Sequence, residues 1–401
     1  AARETPDSNG QYGVGVTDGG DFTMTGGKIE AGWFAVAGNG NYKTQNSIIN
    51  ITDGELISTA DYAVYLPQSG TTTISGGKVY GAAGGVCIQR GTLNVEGTAL
   101  ITSKGTGSTG NWGDGTGGLD CAAINVSGAY GIATVNIKGG TLIAEAKSLI
   151  TEGTTYTPVI NVTGGTFSDP SVLKYMATNA TVDIKLLSNI NIAKTELATG
   201  YILNAANATA NLNLNGHDII NSSETADATP FTQIFTVQNG TLNISGNGNV
   251  KCDASATAKD DGYRMVIEAR GYGTVNIHGG SYYNTQKLNT QIDLIYAREN
   301  GKINIYGGTF ESGKYGTPNN DTDGRYWVLN LKNTDKNTAS IQVSGGTFIN
   351  FNPANPNMDD NESYLVTGYE VTRDGSVYTA AHKVGDGRKE YIVGQTSQEN
   401  R

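Results

Sequence analysis

Hydrophobic and polar residues alternate along most of the chain in a phrase that recurs many times. The phrase is an aliphatic residue, usually Asn, a second aliphatic residue, a variable residue, Gly-Gly, and then Thr or Lys before a hydrophobe. Clear copies are residues 135–142, 160–167, 275–280, 303–310 and 341–348. Alternation with a period of two predicts a strand with one buried face, and Gly-Gly predicts a sharp turn. The sequence therefore predicts a repeated strand–turn–strand unit.

The spacing of the repeat indicates how the units stack. Gly27, Gly54, Gly77 and Gly97 follow one another at intervals of 20 to 27 residues. One turn of a parallel β-solenoid takes roughly 20 to 30 residues, whereas a strand–helix–strand unit needs about 30 or more. No stretch shows helical periodicity over three turns. We therefore predict an all-β fold, a parallel β-helix (β-solenoid).

In such a stack, equivalent residues of neighbouring repeats lie about 4.8 Å apart. We expect aliphatic columns inside the stack from Val135, Ile160, Val275, Ile303 and Ile341. We expect amide ladders from Asn136, Asn161, Asn276 and Asn304. The asparagines of the phrase are therefore interpreted as structural.

The composition narrows the class of protein. The 401 residues include 56 glycines but only 8 prolines, and the glycines are periodic, so the chain is not a disordered low-complexity sequence. A net charge of -10 without a basic stripe argues against a nucleic-acid partner. The sequence contains no run of about 20 apolar residues, so it predicts no membrane-spanning helix. We expect Cys87, Cys121 and Cys252 to be small buried hydrophobes.

The Gly-Gly phrase is interrupted between Gly165 and Gly246, which predicts a boundary between two modules. We assign residues 1–178 to a first β-solenoid module, whose start we expect to be missing from this chain. A second β-solenoid module is assigned to residues 179–380. Residues 381–401 lose the repeat and are predicted to be a polar tail or linker.

Three motifs carry a resemblance to a known superfamily. They are Leu-Asn-Leu-Asn-Gly-His-Asp-Ile at residues 212–219, the repeated Gly-Gly-Thr-Phe, and Tyr-Leu-x-x-Gly-Tyr-x-Val at residues 364–371. Over about residues 10 to 380 the chain resembles right-handed parallel β-helix proteins of the pectate-lyase-like superfamily. More narrowly, it is similar to surface solenoids of gut bacteria and to tail or head fibres of their phages. The resemblance implies a right-handed β-helix, but the superfamily includes lyases, hydrolases, adhesins and virion spikes.

A polysaccharide-degrading enzyme on this fold needs clustered acids: a lyase uses Ca²⁺ with a basic residue, and a hydrolase uses paired carboxylates. The aspartates lie mostly in predicted turns, and no two strand-borne acids recur at equivalent positions of neighbouring repeats. His217 stands in Asn-Gly-His-Asp, where its neighbours do not match the hydrolase pattern, and His278 takes a variable surface position. The sequence therefore predicts no catalytic residue.

One segment offers weak candidates for a metal site. Residues 319–324, Asn-Asn-Asp-Thr-Asp-Gly, place Asp321 and Asp323 in an oxygen-rich run that resembles half of a Ca²⁺-binding loop. The run lacks the distant bidentate Glu that completes such a loop. We interpret it as a solvated turn and expect no cofactor, with Ca²⁺ as the alternative.

Three insertions interrupt the repeat spacing, at residues 103–120, 254–263 and 314–327. Loops that leave a repeat stack often carry binding, and aromatic rings beside carboxylates and amides suit sugars. The predicted glycan-binding residues are Trp112, Tyr263, Tyr315, Tyr326 and Trp327. The alternative is that Trp327 packs over the edge of a repeat.

These observations predict a non-enzymatic, extracellular fibre or spike segment. The first expectation is a phage virion appendage that presents loops to cell-surface glycans of the host. It would assemble with further copies, as a homotrimer in line with the trimeric phage fibres it resembles, and with other virion or surface proteins. The alternatives are a bacterial surface adhesin, and a polysaccharide lyase or glycoside hydrolase on the same fold.

Overall fold

The computed structural model describes residues 12–39, 44–105, 121–145, 148–192, 200–221, 231–252, 263–284, 292–312, 326–356 and 362–383. In these ranges the regular structure is almost entirely β-strand. Its helical elements are two short 3-10 helices, Pro170–Tyr175 and Asn333–Asp335. The prediction of an all-β fold is confirmed.

The strands of the described residues form three sheets. Sheet A contains β1 (Val14–Gly15), β3 (Val36–Ala37), β5 (Tyr62–Leu66), β8 (Gly84–Ile88), β11 (Ala122–Val126) and β14 (Ser148–Glu152). Sheet B contains β2 (Asp21–Ala31), β4 (Ser47–Ser58), β6 (Gly70–Ile74), β7 (Lys78–Gly81), β9 (Gly91–Val95), β10 (Leu100–Ser103), β12 (Ala133–Ile137), β13 (Thr141–Ala144), β15 (Val159–Val162), β16 (Thr166–Phe167), β17 (Thr181–Lys185), β19 (Tyr201–Asn213), β21 (Phe231–Ser245), β23 (Tyr263–Ile277), β25 (Ile292–Ala297), β26 (Lys302–Ile305), β28 (Tyr326–Leu331) and β29 (Ser340–Val343). Sheet C contains β18 (Ile190–Ile192), β20 (Ile219–Asn221), β22 (Asn249–Cys252), β24 (Ser281–Asn284), β27 (Thr309–Ser312), β30 (Thr347–Ile349), β31 (Tyr369–Asp374) and β32 (Val377–His382).

Strands pair in parallel with strands of the neighbouring repeats. Leu93 of β9 lies opposite Val135 of β12, and Val135 lies opposite Ile160 of β15. Among the described strands the exceptions are the antiparallel pairs that β32 makes with β30 and β31. Because parallel pairing keeps the strand direction, each sheet continues by adding one more copy of the same unit.

A hydrophobic core runs through the stack. One cluster of buried side chains extends from Val16 near the start of the described chain to Ala380 near its end. Full burial of a Val, Leu, Ile or Phe side chain contributes about 1.5–3 kcal/mol to the free energy of folding. The repeated hydrophobes of the sequence phrase therefore supply a continuous core rather than separate ones.

The two halves of the chain join with a change of phase. Phe167, which follows Gly-Gly in the first half, lies opposite Ile184 of β17, and Ile184 lies opposite Leu212 of β19. In the second half this column continues through Ile244 to strands that precede Gly-Gly, such as the one carrying Ile277. The predicted aliphatic positions therefore fall into two columns, one through Val135 and Ile160, the other through Val275, Ile303 and Ile341. The module boundary at 178/179 stays a prediction.

The two glycines of the phrase are required for different reasons. The second glycine has a positive φ, +78° at Gly140 and +87° at Gly280, which side chains with a Cβ rarely adopt. The first glycine approaches the backbone of the preceding repeat. A Cβ added at Gly345 would lie 2.2 Å from the carbonyl oxygen of Tyr306. The predicted sharp turn is confirmed.

The predicted amide ladders are confirmed. In six ladder bonds, the Nδ2 of an asparagine donates to Oδ1 of the residue at the same position of the preceding repeat, which is Asn or, at position 183, Asp. The bonds are Asn136 to Asn94 (3.0 Å), Asn161 to Asn136 (3.1 Å), Asn211 to Asp183 (2.9 Å), Asn243 to Asn211 (2.8 Å), Asn276 to Asn243 (2.8 Å) and Asn304 to Asn276 (2.9 Å). These ladders hold neighbouring repeats in register on the outside of the stack.

The predicted tail begins within a strand, because β32 continues to His382. Cys87 and Cys252 are buried, as predicted, whereas Cys121 is half-buried. The described residues include no helix that is both long enough and apolar enough to cross a membrane.

Candidate functional site

The structure locates only part of the site predicted from sequence. Trp112, Tyr315, Asp321 and Asp323 lie outside the described residues. Tyr263 and Tyr326 begin β23 and β28, and only their backbone is described. Trp327 is half-buried on β28 and is the predicted glycan contact whose side chain can be placed.

A four-residue pattern in β23 defines the surface on which Trp327 lies. Val266 and Ile267 are consecutive and both belong to the core cluster. Met265 and Glu268 on either side of them consequently share the opposite face of the strand. The same pattern occurs in the neighbouring repeats at residues 233–236, 293–296 and 327–330. We call this surface of the second half the outer polar face.

The first half has the same pattern, which supports this assignment of faces. In β5, Ala63 and Val64 belong to the core cluster, whereas Tyr62 and Tyr65 belong to a second hydrophobic cluster. That cluster also contains Phe34, whose ring stacks on Tyr65 with centroids 4.7 Å apart. Sheet A of the first half therefore has apolar side chains on the side that points away from the core, whereas the strands of sheet B that form the outer polar face have several polar side chains there.

Two columns form the outer polar face. The first runs through Gln233, Met265, Asp293 and Trp327. The second runs through Thr236, Glu268, Tyr296 and Asn330. Trp327 thus lies beside Asp293, and Asn330 lies beside Tyr296.

Glu268 is a buried carboxylate, with only 1 % of its surface exposed. Its Oε1 accepts a hydrogen bond from Nε of Arg298 at 2.6 Å, and its Oε2 accepts from Nε2 of Gln233 at 3.4 Å. Nε of Arg270 lies 4.0 Å from Oε2. A buried charge is tolerated when it is paired and hydrogen-bonded, and Arg298 supplies that pairing.

Asp293 is buried next to Glu268 and has no arginine hydrogen-bonded to it among the described residues. Its Oδ1 accepts a hydrogen bond from Nδ2 of Asn330 at 2.9 Å. Burial raises the pKa of Asp293 to about 7; the Asn330 hydrogen bond opposes the rise and the charge of Glu268 adds to it. Asp293 therefore exchanges a proton near neutral pH, unlike an ordinary aspartate.

Half-buried side chains form the accessible rim of the face. Tyr296, Trp327 and Asn330 present a phenol, an indole and an amide. Burial raises the pKa of Tyr296 to about 12, Asp293 adds to the rise and Arg298 opposes it, so the phenol stays protonated. Aromatic faces with a few fixed hydrogen-bonding groups are suited to sugar rings, which offer C–H faces and hydroxyls.

The carboxyl groups of Glu268 and Asp293 resemble a catalytic acid–base pair in their chemistry, but they are not accessible to a substrate. A carboxylic acid that titrates near neutrality beside a second carboxylate is the arrangement that glycosidases use. Glu268 and Asp293 are only 1 % and 3 % exposed, so neither can touch a substrate in this structure. They instead hold Arg298 and Asn330 in place.

Sequence reasoning missed both acids. The sequence observation that no two strand-borne acids recur at equivalent positions holds for Glu268 and Asp293, but the structure still buries these two acids near each other. They occupy non-equivalent positions, since Glu268 lies opposite Tyr296 and Asp293 opposite Met265. The signal that could have found them is a charged residue inside an apolar run, as in Met-Val-Ile-Glu-Ala and Ile-Asp-Leu-Ile.

Among the described residues, the histidines and carboxylates give no second candidate site. His278 is exposed and stacks on Tyr306 with ring centroids 4.7 Å apart, which confirms the predicted surface position. Within the ranges that the structure describes, no group of three or more His, Cys, Asp or Glu side chains is placed to hold a metal ion.

Comparison with protein-family models, with curated proteins and with solved structures gives no match to this chain.

Proposed function

We propose that this chain is a non-enzymatic, extracellular β-solenoid segment, a right-handed parallel β-helix that serves as a stalk and binds glycans through its outer polar face. The observation that carries the glycan-binding role is the register that places Trp327 beside Asp293, and Tyr296 beside Asn330. We propose a virion appendage as its setting, with attachment to glycans of the host surface.

Three features support a stalk. Parallel pairing continues from repeat to repeat, the core is continuous, and asparagine ladders connect the outside of the repeats. Each feature resists sliding of one repeat over the next, because register is fixed both inside and outside. A homotrimer and further virion or surface proteins complete the proposal, and the mass of the native assembly tests that part.

A glycan array tests the binding role. We expect the native protein to bind a subset of glycans, and Trp327→Ala to weaken this binding at least about tenfold, by loss of one aromatic contact. Tyr272→Ala is the matched control, because Tyr272 is an aromatic residue of β23 in the second half that is 75 % exposed and lies outside the face. Equal binding by Trp327→Ala and the native protein would remove the face from consideration.

Glycoside hydrolysis is a second candidate, favoured by the closeness of Asp293 and Glu268 and by the near-neutral pKa of Asp293. It would require the buried pair to become accessible. Incubation with acidic and neutral polysaccharides, followed by assay of reducing and unsaturated ends, separates the two candidates. Product release that disappears in Asp293→Asn would support an enzyme and overturn the non-enzymatic stalk. A bacterial adhesin, the remaining alternative, would be distinguished by finding the chain on cells rather than on virions.

A further inference from the structure

Two carboxyl groups from neighbouring strands are buried together beneath the rim of the outer polar face. Glu268 of β23 is neutralised by Arg298, while Asp293 of β25 receives only the neutral amide of Asn330 among the described residues. Arg298 is itself shared, since its Nη1 also contacts Glu299. The described side chains therefore compensate the negative charge of Glu268 well and a negative charge on Asp293 poorly.

The described surroundings contain no further strong partner for Asp293. The polar, titratable and charged groups that face this cluster are Gln233 and Thr236 from β21, Arg270 from β23, Tyr296 from β25 with Arg298 and Glu299 after it, Asn330 from β28, and Lys332 with Asp335. Lys332 is paired with Asp335 at 3.3 Å, and the guanidinium of Arg270 lies 4.0 Å from Glu268. Ionisation of Asp293 would thus place two like charges in a buried site with little added compensation.

We propose that Asp293 and Glu268 form a proton-operated latch under Trp327, Tyr296 and Asn330. While the pair holds one proton, β25 and β28 stay packed and the rim keeps its shape. When the proton leaves, repulsion between the carboxylates of Glu268 and Asp293 loosens the packing of β25 and of the neighbouring strand that carries Trp327. Glycan binding is then strongest at mildly acidic pH and weakens above neutrality, a consequence that rests on the proposed glycan-binding function.

Trp327 provides a readout that does not depend on glycan binding. We expect the intrinsic fluorescence of the native protein to change between pH 5 and 9 with a midpoint near the pKa of Asp293, about 7. The transition should vanish in Asp293→Asn, which keeps the acceptor for Asn330, and in Trp327→Phe, which removes the reporter. Glu268→Gln should move the midpoint down, because it removes the neighbouring charge. Asp183→Asn, an exposed member of an asparagine ladder, is the matched control and should leave the transition unchanged.

Binding measured over the same pH range then tests the consequence. We expect glycan affinity to fall above the midpoint by at most about tenfold per pH unit, the limit for one linked proton. In Asp293→Asn the affinity should stay at its acidic-pH value. A fluorescence transition without any glycan binding would overturn the proposed function and leave the latch standing. A fluorescence response that is absent, or that persists in Asp293→Asn, would overturn the latch whether or not glycans bind.

Discussion

Phe167 lies opposite Ile184, and this pair joins a strand that follows Gly-Gly in the first half to β17, the first strand of the column that later runs through Ile277 before Gly-Gly. In the described residues, sheet A ends at β14, before the join, and sheet C begins at β18, after it. Of these three sheets, sheet B is the one that continues across the join. The residues of β16 and β17 therefore couple two halves that otherwise use different sheets.

Replacing Phe167 should uncouple the halves. Phe167 is 1 % exposed in the core, so we expect Phe167→Ala to lower the free energy of unfolding by about 3–5 kcal/mol. Leu187→Ala is the control, because Leu187 is 49 % exposed and its removal should cost about 0.5 kcal/mol or less. Urea denaturation measures both. Similar values for the two variants would contradict a core role for Phe167.

The asparagine ladder should be most sensitive in its middle. Asn276 donates to Asn243 and accepts from Asn304. Asn276→Ala therefore removes two hydrogen bonds and leaves Oδ1 of Asn243 and Nδ2 of Asn304 without these partners. We expect a loss of about 1–3 kcal/mol in the free energy of unfolding. Asn161→Ala, which removes one exposed bond to Asn136, should cost less. Thermal melts of both variants decide this, and an equal effect would argue against cooperation along the ladder.

Breaking the ion pair of Arg298 with Glu268 should destabilise the protein, and a second substitution should restore part of the lost stability. Arg298→Gln leaves a buried carboxylate without its partner, and we expect a cost of about 3–5 kcal/mol in unfolding free energy. A second substitution, Glu268→Gln, removes that charge and should restore part of the loss. A double-mutant cycle by urea denaturation measures the coupling. Arg373→Gln, at an exposed arginine, is the control, and strictly additive effects at 298 and 268 would refute the pairing.

Asp293 should make the protein less stable as the pH rises. Its pKa is raised from 3.8 to about 7 in the folded protein, so between these values the folded state binds a proton that the unfolded chain has released. The free energy of unfolding consequently falls from about pH 4 to about pH 7, by at most about 4 kcal/mol, and Asp293 adds no further change above that range.

Comparison of Asp293→Asn with the native protein at pH 5 and pH 8 measures this contribution. The substitution should remove the decline while preserving the bond to Asn330. Asp183→Asn should retain the decline, because Asp183 is exposed. The prediction fails if the native protein and Asp293→Asn lose the same stability between the two pH values.

Local features of the sequence were sufficient to predict the repeat. Strand, turn and ladder positions depend on residues within one unit, so the roles of Gly140, Asn136 and Asn276 follow from the amino-acid pattern alone. The acidic pair could not be assigned in this way. A strict period of two puts residues three apart on opposite faces, whereas the paired core residues Val266 and Ile267 bring Met265 and Glu268 to the same one.

The change of phase at the junction also lay beyond the sequence pattern. Both halves contain the same phrase, and the phrase does not say which strand of one half stacks on which strand of the next. The match of Phe167 to Ile184 depends on the path of residues 168–180, including the short helix Pro170–Tyr175. Path and pairing are properties of the folded chain, so the sequence predicted aliphatic columns but not how the five residues are divided between them.

The junction has a mechanical consequence for the proposed stalk. In the described residues, the ladder that crosses it consists of Thr166 opposite Asp183 and Phe167 opposite Ile184, together with the single bridge between Val162 and Met176. Described strand pairs of sheet B that do not involve β16 share four or more residue pairs, and β21 with β23 shares twelve. Under tension applied along the stack, the strand pairing should open first between β16 and β17, leaving the two halves folded but separated from each other.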